Sequence, residues 1–455
     1  MYRDLTRGSI SRALLLFALP MMAGNLLQQL YNIADTLIVG QYLGSNALAA
    51  VGSAYSLMTF LTSIFLGLSM GSGALFSIYR GQGDESSLRR AIVHSFGLIM
   101  AITLVLNSAV YIFFDEILVL LQVPAEVWAG MNEYLLIIYA GMVATSIYNF
   151  FACLLRSLGN STAPLIFLGI SALLNIALDL LFVVTFKRGI GGAAEATVIS
   201  QYVSALGIAA YFLLRCRDVL PRREDLQFDR TILHEIAGMS TLTCVQQSVM
   251  NFGILMVQGR VNSFGSIVMA AFSAGVKIDT FAYLPVQDFG NAFSTFVAQN
   301  YGAGNIERIK EGTKKAFALS ITFSLVISAL VFAFARPLML IFVKSTEMAV
   351  ITAGVHYLKI EGALYCGIGC LFLLYGYYRA IKRPTMSVIL TVISLGTRVL
   401  LAYALSATPL HEIGIWLSIP IGWVLADVTG LLYMFHGGRV STVETEVALD
   451  SANKA

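Results

Sequence analysis

Twelve stretches of this chain are apolar over lengths that cross a bilayer, and they decide the class of fold before any single residue is weighed. They lie at 12–40, 47–79, 90–114, 128–156, 162–186 and 190–214, then, after the charged stretch RCRDVLPRREDLQFDR, at 232–260, 266–299, 312–343, 347–380, 384–407 and 411–436. About 20 apolar residues suffice for a transmembrane helix. Backbone in lipid has no water to bond, so runs of this length read as helices. Composition agrees: 57% of residues are hydrophobic and 12% charged, against about 25% charged in a soluble domain. The expected fold is an all-α polytopic membrane protein, with 12 transmembrane helices in two six-helix lobes. Residues 1–214 form the N-terminal lobe, 215–231 a cytoplasmic linker, 232–436 the C-terminal lobe and 437–455 a polar cytoplasmic tail. No cleavable signal is expected, because the first run is far longer than a signal's apolar core.

Lysine and arginine set the orientation. With the N-terminus inside, cytoplasmic segments carry 21 of the 29 basic residues, and outer segments carry five: Lys187, Arg188, Arg260, Arg336 and Lys344. Lys277, Lys359 and Arg398 fall within runs. Both termini are expected in the cytoplasm of a prokaryote, with the chain in its plasma (inner) membrane. The halves also repeat. Gln28, Asn32 and Gly40 recur as Gln247, Asn251 and Gly259 at a shift of 219. LGSNALAA recurs as FGSIVMAA, and RGQGD as YGAGN, at a shift of 221. Six is an even number of spans, so both halves enter from the same side, and the repeat is a parallel pseudo-two-fold about the membrane normal. Transporters built this way commonly bind substrate between the halves and rock one against the other.

Acids inside such runs are costly, roughly 2.5–3.5 kcal/mol each on insertion scales, and are functional candidates. Asp35 lies in the first run. Asp179 lies in the fifth, with Asn175 four residues earlier and so on the same helix face. Thr197 lies in the sixth. Counted from the outer ends, Asp35, Asp179 and Thr197 lie about 7–10 Å deep, so all can meet in one layer. Two carboxylates, an amide and a hydroxyl form a hard, oxygen-rich site suited to a small cation such as Na⁺, or to a proton shared by the acids. The second half lacks these acids: Asp35 corresponds to Ile254, Asn175 to Arg398 and Asp179 to Ala402. Cation chemistry is therefore expected only in the first half.

Gln28 and Asn32 share nearly the face of Asp35. With Tyr31, Tyr139, Asn149, Gln247, Asn251 and Lys277 they are candidate lining for a substrate cavity. Lys277 and Asp279 are two apart and cannot pair on one helix face. Pro20, Pro164, Pro285, Pro337, Pro384 and Pro420 are candidate kinks. Pro20 shares the helix of Asp35, about 22 Å away.

The ordered set LPMMAGNLLQQLYNIADTLIVGQYLG, LLRSLGNSTAP, LLNIALDLLFV, GGAAEATVISQ, QNYGAGN and IGWVLAD resembles the multidrug and toxic compound extrusion (MATE) family over roughly residues 10–436. It is most similar to the DinF-type branch. The resemblance implies secondary active efflux of amphipathic, often cationic compounds, driven by inward Na⁺ or H⁺. It implies a cation site at Asp35, Asn175, Asp179 and Thr197, and a cavity role for Gln28. Another branch carries acids in spans seven and ten. Here the matching stretches, LTCVQQSVMNFG and GCLFLLYGYYRA, have none.

A competing reading is a flippase or exporter of a lipid-linked saccharide or other amphiphile, which needs a more basic cavity; Lys277, Lys359 and Arg398 are the candidates for it. An intramembrane enzyme is not expected: His94, His234, His356, His411 and His436 lie near span ends, and no catalytic motif appears. Metal binding by the five cysteines is not expected either. No cofactor beyond the coupling ion, no nucleic-acid partner and a functional monomer complete the expectation.

Overall fold

A computed structural model describes residues 4–120 and 125–436; the expected tail at 437–455 lies outside them. Among the described residues every regular element is helical. In the first half these are α1 (Ile10–Leu43), α2 (Ser45–Gln82), α3 (Glu85–Ile112), the short α4 (Phe114–Leu120), α5 (Ala125–Ala140), α6 (Met142–Ser157), α7 (Thr162–Asp179) and α8 (Gly189–Arg215). The second half has α9 (Arg230–Asn262), α10 (Ser266–Gly302), α11 (Ile306–Phe342), α12 (Met348–Gly362), α13 (Tyr365–Ala380), α14 (Pro384–Ser406) and α15 (His411–His436). Among the described residues nine helices are long and apolar enough to span a membrane, and two bent pairs bring the number to 11. The remaining expected span is α9, 33 residues long. Gln246, Gln247, Asn251 and Gln258 lower its hydropathy without breaking the helix.

Two spans expected as single runs are broken. The run at 128–156 bends by 43° between α5 and α6, and the run at 347–380 bends by 50° between α12 and α13. Neither break is at a proline. The first falls at Gly141, where an added Cβ would lie 2.1 Å from Gln201 Oε1. Glycine there admits the neighbouring side chain. Pro164 and Pro384 sit in first helical turns, where a missing N–H costs nothing. Pro337 does deform its helix: Phe334, three residues earlier, leaves helical geometry at φ −108°, ψ 16°.

The internal repeat is written into the backbone. Gly44 (φ 86°) and Gly265 (φ 91°) precede α2 and α10; Gly83 (φ 73°) and Gly304 (φ 70°) follow them. Positive φ is nearly free for glycine and strained for other residues. The closing turns bond alike: Asp84 N–H donates to Tyr79 O at 3.1 Å, and Asn305 N–H to Asn300 O at 2.9 Å. At the third such turn Gly159 (φ 88°) has Lys382 (φ 59°) as its counterpart, at a shift of 223.

The described chain divides into two compact units, and the division is not at the linker. One unit holds residues 19–244; the other holds residues 4–18 and those from 245 on. Contacts explain both displacements. In the first unit, an added Cβ at Gly67 or Gly71 of α2 would lie 2.6 Å from Cys244 Cα or 2.5 Å from Ser240 Cα. The missing side chains let the first half of α9 lie against α2. In the second unit Arg308 donates to the carbonyls of Leu5, Arg7 and Gly8 at 2.8–3.3 Å. Gln299 Oε1 accepts from Leu5 N–H, and Asn300 Nδ2 donates to Leu5 O. The N-terminal segment is thereby fixed to the second unit. The linker binds the first: Arg89 pairs with Asp225 at 2.9 Å and Arg90 with Asp229 at 3.4 Å.

Candidate functional site

The site begins at a change of helix type. α7 ends at Asp179, and Leu180–Thr185 continues as a π-helix, a form frequent at functional positions. Asp179 is fully buried and Asn175, one turn earlier, is 2% exposed. α7 packs on α8, and α8 brings Thr197. Asn175 Nδ2 donates to Thr197 Oγ1 at 3.2 Å, while Thr197 Oγ1 donates to Ala193 O at 3.1 Å. This chain of donors orients the amide, so that Asn175 turns its oxygen away from Thr197. The Asp35 and Asp179 carboxyl groups lie within hydrogen-bonding reach of each other.

The four residues predicted from depth and spacing are therefore neighbours within one unit, and their oxygens are unsatisfied. Asp35 Oδ1, Asn175 Oδ1, Asp179 Oδ1 and Asp179 Oδ2 are all buried without a hydrogen-bond partner. A buried polar atom left so costs roughly 1–3 kcal/mol, more when charged. Like charges in contact cannot both ionise without a proton or cation between them. These oxygens are acceptors with nothing to accept from, which is what a small hard cation or a shared proton requires.

Sequence reasoning missed Tyr134 on α5. It is 8% exposed, and its hydroxyl neighbours Asp35, Tyr31 and Asp179. Its run was legible as a span, but nothing in the run shows which way a tyrosine turns.

The cavity candidates fare unevenly. Gln28, Tyr31 and Asn32 are half-buried on α1, the helix of Asp35. Asn149 is half-buried and donates to Thr145 O of its own helix at 2.9 Å. Tyr139 does not line an open space: it is fully buried in the core of the first unit, edge-on to Tyr111 and Phe114. An aromatic ring with only apolar residues on either side of it, as in LLIIYAGMVA, has no sequence signal for which side it faces. Gln247 is buried, and Asn251 Nδ2 donates to its carbonyl at 3.2 Å. Lys277 is exposed, 5.8 Å over the Phe342 ring, whereas Asp279 is 3% exposed. The two face apart, as their spacing requires.

The MatE family model matches residues 20–181 and 240–404. The chain belongs to the MatE family. It is thus a multi-pass membrane transporter, with its 12 transmembrane helices in two lobes. It is 28% identical over 437 residues to the probable multidrug resistance protein YpnP of Bacillus subtilis, covering 95% of this chain and 97% of that one. It is 25% identical over 371 residues to the multidrug export protein MepA of Staphylococcus aureus, covering 80% and 81%. A solved MOP superfamily transporter from Pyrococcus furiosus superposes with a TM-score of 0.89 at 23% identity, over 100% of both chains. A MATE structure in a bent conformation gives 0.88 at 23% identity, again over 100% of both.

Proposed function

We propose that this MatE protein is a secondary active efflux transporter, exporting amphipathic or cationic organic compounds in exchange for inward Na⁺ or H⁺. The observation that carries the reading is the group of four unsatisfied oxygens on Asp35, Asn175 and Asp179, with Asn175 oriented by Thr197. Empty and ionised, the pair is unstable; neutralised, it is not. A state that offers the pair a proton or Na⁺ is stabilised by it, and a compound that binds another state is released. Coupling needs only that ion and substrate prefer different states.

Relatives named for multidrug resistance and multidrug export support the substrate class. The flippase reading needs its basic residues gathered in one cavity, whereas each has a different local neighbour. Lys277 lies over Phe342, Lys359 lies 4.9 Å over Phe332, and Arg398 faces two buried acids.

The test is efflux of a fluorescent cationic dye from proteoliposomes, with Na⁺ and pH gradients imposed separately. Asp35→Asn and Asp179→Asn should each abolish gradient-driven efflux while the protein still reconstitutes. Wild-type efflux by both variants refutes the coupling role.

A further inference from the structure

The second unit contains an acid pair that the repeat does not explain. Asp279 on α10 and Glu361 on α12 are 3% and 6% exposed. Both helices pack against each other, with α13 against α10. Tyr365 of α13 donates its hydroxyl to Asp279 Oδ1. The other titratable groups facing the pair are Tyr357, from α12, and Arg398, from α14. Asp427 of α15 lies elsewhere, near Cys366 and Cys370.

Two features set this cluster apart from a neutral structural network. Asp279 Oδ2, Glu361 Oε2 and Arg398 Nε are each buried without a hydrogen-bond partner. Among the described residues no ion pair within 4 Å joins Arg398 to either acid. With both acids ionised, two negative charges face one positive, leaving one uncompensated charge in a water-poor core. One more positive charge balances the cluster.

The chemistry of the neighbours selects that charge. A metal ion needs several acceptor oxygens at once. Here the neighbours are Arg398, which only donates, and two tyrosine hydroxyls, one already donating to Asp279. A second cation would also sit beside a guanidinium. A proton needs only one unshared oxygen from each acid, and Asp279 Oδ2 and Glu361 Oε2 provide these.

We infer that the second unit holds its own proton-binding site, in which Asp279 and Glu361 share one exchangeable proton between carboxyl oxygens, held in place by Tyr365 and balanced by Arg398. The site is separate from the Asp35–Asp179 pair and does not depend on what the protein exports. It departs from the expectation that ion chemistry is confined to the first half: the acids come from α10 and from the part of span ten before its bend.

The test is infrared difference spectroscopy of the full-length purified protein between acid and alkaline pH, in an Asp35→Asn/Asp179→Asn background that removes the first pair. A protonated-carboxyl band should titrate and shift on exchange into D₂O. Adding Asp279→Asn or Glu361→Gln should remove one component of that band. Tyr365→Phe, which keeps the ring, should move the frequency of the same component, and it serves if the acid variants do not fold. Na⁺ at fixed pH should leave the component unchanged. The inference is overturned if the band is the same with and without Asp279 and Glu361, if Tyr365→Phe leaves every component in place, or if Na⁺ removes the component as alkali does.

Discussion

Thermal stability gives the most direct view of the Asp35–Asp179 site, because it needs no substrate. The perturbation is Asp179→Asn. The wild-type pair, ionised and empty, leaves three buried carboxylate oxygens unmet beside that of Asn175, and the variant replaces a buried carboxylate with a neutral amide of the same shape. Two effects follow, of opposite sign. The cation-free variant is more stable than the cation-free wild type, since an uncompensated buried charge costs several kcal/mol. The cation-bound wild type gains stability by mass action, about 2.7 kcal/mol at an ion concentration 100 times its dissociation constant. For a folding unit of about 150–250 residues, each kcal/mol moves the melting point by about 2–4 °C, so saturation should raise that of the wild type by about 5–11 °C. The variant should not respond to Na⁺. Cys153 and Cys216 are buried cysteines of the first unit, so a thiol-reactive fluorophore in detergent reports its unfolding. Na⁺ is titrated against choline at fixed pH, and protons in a separate series. An Asp179→Asn protein that responds like the wild type places the ion elsewhere and refutes the site.

Other consequences follow from single contacts. Tyr134→Phe removes the polar hydroxyl beside the acids; the ion concentration for half-maximal stabilisation should shift by a few-fold, roughly what a loss of about 0.5–1 kcal/mol gives, with far-ultraviolet circular dichroism unchanged. Gly71→Val forces a side chain to within 2.5 Å of the Ser240 backbone; overpacking typically costs 1–3 kcal/mol, visible as a lower melting point, whereas Gly97→Ala, with open space around it, should be near neutral. Asp229, outside the membrane at the start of α9, has its carboxyl held below the usual range by the N–H groups of Ile232 and Thr231 and by Arg90. A lowered folded-state value means the contribution is present above the ordinary carboxylate range and is lost as pH falls through the folded value. Asp229→Ala should therefore melt lower than wild type at neutral pH, and the gap should close in strong acid.

Helix period and membrane depth made the grouping of Asp35, Asn175, Asp179 and Thr197 legible. Asn175 and Asp179 are four apart, and counting inward from the span ends put Asp35 and Thr197 at their level; their neighbours in the structure are those that the count requires. The repeat was legible because its glycines do a backbone task that few other residues perform, so they persist where side chains have drifted. What stayed hidden depends on rotation and contact between helices. Nothing in MNEYLLIIYA tells that Tyr134 faces the acids while Tyr139 packs on Phe114. The breaks at Gly141 and after Gly362 carry no proline, and the unit boundaries are set by Arg308 and by Gly67 and Gly71, whose partners are distant in sequence.

The two units have kept one backbone and parted in chemistry. The turns at Gly83 and Gly304 bond alike, yet Asp179 of the first unit corresponds to Ala402 of the second, and Asn175 to Arg398. That last replacement is informative. In the first unit the position supplies an amide whose oxygen is free to accept, beside two acids. In the second it supplies a permanent cation, and the acids facing it, Asp279 and Glu361, come from positions without a counterpart in the first site. An acceptor-rich site attracts an external cation, whereas a site already holding a guanidinium rejects one and leaves room only for a proton. If both sites operate, Na⁺ and H⁺ act on different units of one chain. Replacing Asp35 or Asp179 then removes any Na⁺ response and leaves a proton response that either Asp279→Asn or Glu361→Gln abolishes.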